Sequence, residues 1–168
     1  MKKNRICILI CSLISIFIGK TTYADVVPYM TTENEISFGK IMFIPGNCQM
    51  DHVTGNIIVS NPDVMCDLED QTIAGRYTIV ANPNKQVNIK FMQRDNEGDG
   101  FIFIPEGIIF SDVESLSITA NTAQQLNSGV SGIIRLQVGG RLFVIQHIPS
   151  SSIFTLTKIE GIEWNELP

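Results

Sequence analysis

The sequence predicts an all-β domain of antiparallel strands, and three observations lead to that fold class. Apolar and polar residues alternate along most of the chain, for example at Tyr77, Ile79 and Ala81 in one segment and at Val87 and Ile89 in the next. Clusters of glycine, proline, asparagine and serine separate these segments. After the first 24 residues no segment keeps the period of 3.6 residues that a helix requires. Short alternating segments between turns are typical of an antiparallel sandwich or barrel.

The first 24 residues have the pattern of a secretory signal peptide. A basic start precedes an apolar run from Ile6 to Ile18, and small and polar residues then lead to Ala24. The apolar run is too short to span a bilayer comfortably. We therefore expect cleavage after Ala24, export of residues 25–168 as one domain, and no membrane insertion after cleavage.

The charge of the exported part excludes two classes of partner. Four basic residues leave with the signal and no acidic residue does, so the 12 basic residues become 8 while all 17 acidic residues remain. The mature net charge is therefore about −9. Binding to nucleic acid or to anionic lipid depends on basic clusters, and the sequence contains none. We expect neither partner.

The predicted strands are short, and turns separate them along the chain. One turn is especially clear, because Gly139-Gly140 between two alternating segments is typical of a two-residue hairpin. We also leave open one helical turn near residues 122–129. The predicted strands cover roughly residues 34–44, 55–60, 73–81, 86–93, 100–104, 107–111, 115–119, 131–138, 141–147 and 153–164.

The exported part keeps two cysteines, Cys48 and Cys66. In an exported chain an isolated pair is most simply a disulfide. A metal site would need further ligands, and His52 and His147 lie far apart with no ligand-like spacing around the second. We predict the disulfide and no metal or other cofactor.

The acidic segment DNEGDGFIFIPE has nearly the ligand spacing of an EF-hand loop. Its candidate calcium ligands are Asp95, Glu97, Asp99 and Glu106. An EF-hand loop lies between helices, however, whereas strand patterns flank this segment. A hairpin turn formed by its glycine, aspartate and asparagine residues is the reading we favour, and calcium binding without helices stays as the alternative.

No combination of residues predicts an enzyme. The sequence lacks a nucleophile elbow, a nucleotide-binding loop, a zinc-protease helix and a redox Cys-x-x-Cys pair. His52 lies beside Asp51 in the segment between the two cysteines, where an exposed loop histidine is the ordinary interpretation. We expect no catalytic activity.

Four stretches of the chain form a recognisable pattern: Ile36 to Gly46, Thr54 to Ser60, Ala74 to Phe91 and Leu136 to Ile159. Together they resemble a pilin-like domain of unknown function from exported proteobacterial proteins. The residues that carry the resemblance are Phe38, Gly39, Gly75, Tyr77, Gly139, Gly140 and Leu142.

The resemblance implies an immunoglobulin-like antiparallel β-sandwich that serves as a subunit of a surface fimbria or adhesive appendage. Its partners would be identical or related pilin subunits, with a periplasmic chaperone and an outer-membrane usher during assembly. The protein would pass through the periplasm and then reside in a fimbrium, at the cell surface or outside the cell.

Strand addition between subunits is the assembly mechanism that we expect, because an exposed sheet edge offers unpaired backbone groups to an extended segment. The candidate donor is the start of the mature chain, with Val26, Val27, Tyr29 and Met30. This start alternatively pairs within its own chain or stays disordered. A second functional hypothesis is a monomeric secreted binding module that recognises a carbohydrate or a host protein through loops near residues 95–106 and 120–131.

Overall fold

The computed structural model describes residues 27–41, 44–61, 66, 71–96, 100–146, 152–156 and 161–168. The predicted signal peptide, residues 1–24, lies outside these ranges. Within them, no helix has the length and the apolar character needed to cross a membrane.

The described residues form thirteen β-strands, and every strand pair is antiparallel. The predicted all-β class is therefore confirmed. The strands are β1 (Tyr29–Asn34), β2 (Ile36–Ile41), β3 (Gly46–Met50), β4 (Ile57–Asn61), β5 (Gly75–Val80), β6 (Gln86–Phe91), β7 (Arg94–Asn96), β8 (Phe101–Phe110), β9 (Ser115–Thr119), β10 (Ala123–Asn127), β11 (Ile133–Val144), β12 (Ser152–Leu156) and β13 (Ile162–Glu166).

Two long strands, β8 and β11, form the centre of an eight-stranded sheet. They pair with each other from Arg135 opposite Phe110 to Val144 opposite Phe101. The other edge of β11 pairs with β5 over its first half and with β3 over its second half. The other edge of β8 likewise pairs with β7 and then with β9. The sheet therefore consists of two half-sheets that share one central ribbon, and β1 and β4 are the outermost strands on the same flank.

The predicted hairpin at Gly139-Gly140 is wrong, because β11 runs through both glycines without a turn. They lie where β11 changes its partner from β5 to β3. A Cβ atom on Gly139 would lie 2.6 Å from the Met50 carbonyl oxygen, and one on Gly140 would lie 2.4 Å from the Ile104 carbonyl oxygen. Glycine is therefore required here by the close approach of neighbouring backbones.

The predicted break between the strands at 100–104 and 107–111 is also wrong, since β8 continues through Pro105. Pro105 lies opposite Gly140. On its other edge β7 pairs as far as Phe103 and β9 begins to pair at Glu106. Proline has no N–H to donate. Pro105 lies between the last residue that pairs with β7 and the first that pairs with β9, so its missing N–H costs no hydrogen bond to either strand.

Two smaller sheets complete the fold. One has the order β10-β6-β13 and the other pairs β12 with β2. Reciprocal backbone hydrogen bonds of 2.8 Å between Ser37 and Ile73 join β2 to the segment before β5.

All three sheets contribute to one hydrophobic core. Phe38 of β2 packs edge to face on Phe103 of β8, with ring centroids 5.7 Å apart. Tyr77 of β5 reaches the backbone amide of Ile36, and burial raises the pKa of Tyr77 to about 12. Ile89 and Phe91 bring β6 into the same cluster. The layers of sheet are thus held together by shared apolar burial.

Sequence patterns missed four short strands, β1, β3, β7 and β10. β1 ends at Asn34, where the strand predicted at 34–44 begins, and that predicted strand corresponds to β2. β3 begins at Gly46, within a turn signal, and β10 occupies residues 123–127, where a helical turn is one expectation. The strand predicted at 153–164 corresponds to two strands, β12 and β13. Pairing with distant strands, and not the local turn residues, set the ends of these strands.

Candidate functional site

The predicted disulfide between Cys48 and Cys66 is confirmed. The two Cα atoms lie 6.2 Å apart, and both residues are buried. Cys48 belongs to β3, whereas Cys66 forms a bridge with Ile41 of β2. The bond therefore ties the large sheet to the β2–β12 pair.

The predicted donor segment contains an edge strand that pairs within its own chain. Val26 lies outside the described residues, and Val27 is 84% exposed. Tyr29 and Met30 pair with Val80 and Ile79 of β5. Within the single chain this segment is therefore a paired strand, and its donation to another subunit stays a prediction.

β1 is held by its five-residue pairing with β5 and by little apolar burial. Met30 is the only described residue of β1 that packs against the core. The Thr78 hydroxyl donates to Glu33 at 2.7 Å, and the Thr31 hydroxyl donates to the Thr78 carbonyl at 3.4 Å. A single residue, Glu35, separates β1 from β2. An edge strand with so little apolar burial is among the first parts of a fold to open.

The second outer strand, β4, has an uncharged and partly apolar surface. From Thr54 to Asn61 the chain has no charged residue. Ile58 is 58% exposed and Val59 is 44% exposed. A bulge at Ile58 interrupts the pairing of β4 with β3, and bulges are one of the devices that limit addition to an edge. The regular part of this edge is therefore short.

The strands on either side of the acidic turn pair with each other, as the predicted hairpin requires. Arg94 to Asn96 pair with Phe101 to Phe103, whereas Glu97 and Asp99 lie outside the described residues. Asp95 lies opposite Ile102, and Glu106 follows four residues later in β8, about 13 Å further along the strand. The Glu106 carboxylate accepts a hydrogen bond from Gln49. Calcium binding by this segment stays a prediction.

The two segments proposed as recognition loops contain strands. Residues 101–106 belong to β8 and residues 123–127 belong to β10, whereas residues 129–131 form a turn. The backbone groups of these two strands are used in pairing with β11, β9 and β6. Recognition of a carbohydrate or a protein through these segments stays a prediction.

A cleft of about 320 Å³ opens on the sheet, at the place where the two half-sheets meet. We call it the sheet-face cleft. Its polar lining comes from Gln49, Asp51, His52, Glu106, Ser117 and Thr119. Its apolar lining comes from Met50, Ile58 and Ile118, and Gly107 also borders it.

One hydrogen bond across β11 organises this cleft. The side-chain amide of Gln49 in β3 donates to the carboxylate of Glu106 in β8 at 2.8 Å. These strands flank β11 on opposite edges, about 10 Å apart. Gly139 is the residue of β11 that lies opposite Glu106, and it places no side chain between the two groups. Gly139, one of the two glycines for which the sequence predicts a hairpin, therefore makes the Gln49–Glu106 hydrogen bond possible.

The loop from Asp51 to Asn56 forms one wall of the cleft and is held from two sides. One carboxylate oxygen of Asp51 accepts hydrogen bonds from the Thr54 amide at 2.6 Å and from the Val53 amide at 3.0 Å. The Arg76 guanidinium in β5 donates to the carbonyl oxygens of His52 and Val53. His52 is therefore positioned by its backbone.

These hydrogen bonds, first of all the one from the Thr54 amide, hold the pKa of Asp51 below its ordinary value of 3.8. Its contribution to stability is complete above the unfolded-state pKa and is lost as the pH falls through the lower folded-state pKa. Asparagine cannot be charged, so we expect Asp51→Asn to lower the urea midpoint at pH 7. Below about pH 3 that difference should shrink. Urea titrations of both proteins at the two pH values test this, and a difference that persists at low pH would contradict it.

Sequence reasoning missed Gln49, Ser117 and Thr119 as residues of a common site. They lie in β3 and β9, which are not neighbours in the chain. The available signal was the pair Gly139-Gly140, because glycine inside a strand marks a close approach as often as a turn.

In the part of the chain that the structure describes, no three histidine, cysteine, aspartate or glutamate side chains converge in a way that would hold a metal ion. Comparison with protein-family models, with characterised proteins and with solved structures gives no match to this chain.

Proposed function

We propose that this chain is an exported structural subunit of a surface fimbria or adhesive appendage, and that subunits assemble by exchanging β1. The observation that carries the proposal is the position of β1. It is an outermost strand, one residue separates it from β2, and only Met30 packs it against the core. In the proposed assembly, β1 of one subunit leaves β5 and the β1 of the next subunit takes its place.

The exchange conserves the interactions of the strand. The same five residue pairs between β1 and β5 form within one chain or between two chains. The free-energy cost is then mainly that of opening, which a strand with one packed apolar side chain keeps small. Exchange of an identical element between subunits is a low-cost route to assembly, and it continues as a fibre when it does not close on itself.

Once β1 has opened, its former partner β5 is ready to pair with the β1 of another subunit. β5 buries Tyr77 and Ile79 in the core, and its backbone groups are unpaired on one edge once β1 has left. An exposed edge of this kind promotes pairing with another chain. The partner in this proposal is a second copy, or a related subunit with an equivalent strand.

A covalent lock on β1 tests the proposal. Thr31 and Thr78 lie directly opposite each other, so cysteines at both positions are expected to form a disulfide that holds β1 on β5. We expect the mature protein to form oligomers at high concentration, and the Thr31→Cys/Thr78→Cys protein and the protein without residues 25–34 to stay monomeric. Size-exclusion chromatography with light scattering measures this, and electron microscopy shows any fibres.

The single variant Thr31→Cys is the matched control, because it carries the same change in β1 without the lock. It should assemble like the unmodified chain once its thiol is blocked. Assembly of the locked double variant to the same extent as the control would contradict β1 exchange.

A further inference from the structure

The sheet-face cleft has the chemical composition of a binding site for an uncharged polar ligand. Its lining combines an amide, an imidazole, two carboxylates and two hydroxyl groups. These groups supply both donors and acceptors of hydrogen bonds. Among the described residues that line the cleft there is no lysine or arginine. Two carboxylates do line it, and the nearest cation on the same face is Arg141, opposite Gln49.

The apolar part of the lining narrows the ligand class further. Ile58 is the exposed apolar side chain of the lining, whereas the Met50 and Ile118 side chains are buried in the core and offer no surface to a ligand. A ligand that fits must present hydroxyl groups to one side and C–H groups to the other. The cleft volume of about 320 Å³ lies at the lower end of the range, roughly 300–1,000 Å³, for small-molecule sites. A sugar ring has this combination of size and surface.

Hydrogen bonds within the protein hold the groups of the cleft in place. The Gln49–Glu106 hydrogen bond fixes the orientation of a carboxylate, and the Asp51 turn together with Arg76 fixes the adjoining wall. A site whose groups are held in place loses less conformational entropy when a ligand binds.

On these grounds we propose that the sheet-face cleft binds a neutral sugar, with the Glu106 carboxylate and the Ser117 and Thr119 hydroxyls bonding to its hydroxyl groups. Gln49 holds Glu106 in position. The ring lies against Ile58. This activity is independent of β1 exchange. The lining residues belong to neither β1 nor β5, and Arg76 of β5, which supports one wall, stays in its own subunit, so a monomer carries the complete site.

The test is an amide chemical-shift titration of the mature protein with glucose, galactose, mannose and N-acetylglucosamine, each to about 10 mM, ten times a dissociation constant of about 1 mM. We expect at least one of them to shift the amides of Gln49, His52, Glu106 and Thr119. Glucuronate serves as the anionic comparison and should bind about tenfold more weakly, because Asp51 and Glu106 repel its carboxylate.

Two variants and one control locate the binding. Glu106→Gln and Ser117→Ala should each weaken binding of the responding sugar by about tenfold. Glu163→Gln makes the same chemical change on the exposed face of β13 and should leave binding unaltered. Unmoved cleft amides with all four neutral sugars, shifts confined to residues elsewhere, equal binding of glucuronate, or equal loss in Glu163→Gln would each overturn the proposal.

Discussion

Gly140→Ala is expected to destabilise the fold by about 3 kcal/mol, the largest effect of any single methyl group that we predict. Gly140 has a φ of 132°, which an alanine adopts only under strain. The added Cβ would also lie 2.4 Å from the Ile104 carbonyl oxygen and 2.9 Å from the Pro105 Cα atom. Both are backbone atoms of the central ribbon and cannot move aside without disturbing β8.

Urea unfolding of the purified mature protein, followed by circular dichroism, measures this loss. Ala123→Val is the control, because it adds methyl groups at an exposed position of β10 and should change the unfolding free energy by less than about 0.5 kcal/mol. A Gly140→Ala protein as stable as the control would mean that β11 does not pass Ile104 at this distance.

Removal of the disulfide is expected to cost about 3 kcal/mol, the value for a closed loop of this length. Cys48 and Cys66 are 18 residues apart in sequence. The bond restricts the unfolded chain, and in the folded protein it ties β3 to the bridge at Ile41 of β2. In the double variant Cys48→Ala/Cys66→Ala we expect both the loss of that restriction and the loss of buried sulfur packing.

Urea unfolding of the double variant, beside the oxidised and the reduced unmodified protein, separates the two contributions. The reduced protein retains both sulfur atoms, so it should lie between the oxidised protein and the double variant in stability. A double variant that unfolds at the same urea concentration as the oxidised protein would contradict a stabilising role for this bond.

The alternation of apolar residues determined much of this fold before any tertiary contact was known. Tyr77 and Ile79 in β5, like Val87 and Ile89 in β6, are buried as their period of two requires. The cysteine pair likewise determined the disulfide, because only two cysteines remain after the predicted export signal. The first argument rests on local periodicity and the second on the number of cysteines, and the structure agrees with both.

The tertiary structure alone decided what Gly139, Gly140 and Pro105 do. Glycine pairs and prolines end strands in most local contexts, so sequence reasoning placed a turn and a break there. In the fold these residues lie where two long strands change neighbours, and the requirement they meet is close backbone approach. That requirement depends on strands distant in sequence, which no local pattern contains.

The residues of the sheet-face cleft were likewise brought together by tertiary structure and not by any local sequence pattern. Gln49 and Glu106 are 57 positions apart in the chain, and their hydrogen bond exists because Gly139 places no side chain between them. Their separation in sequence gives no sign of this contact. The sequence thus determined which faces of the strands are buried, because burial follows from periodicity. Only the tertiary structure decided which exposed polar groups meet, because that depends on strand order and register.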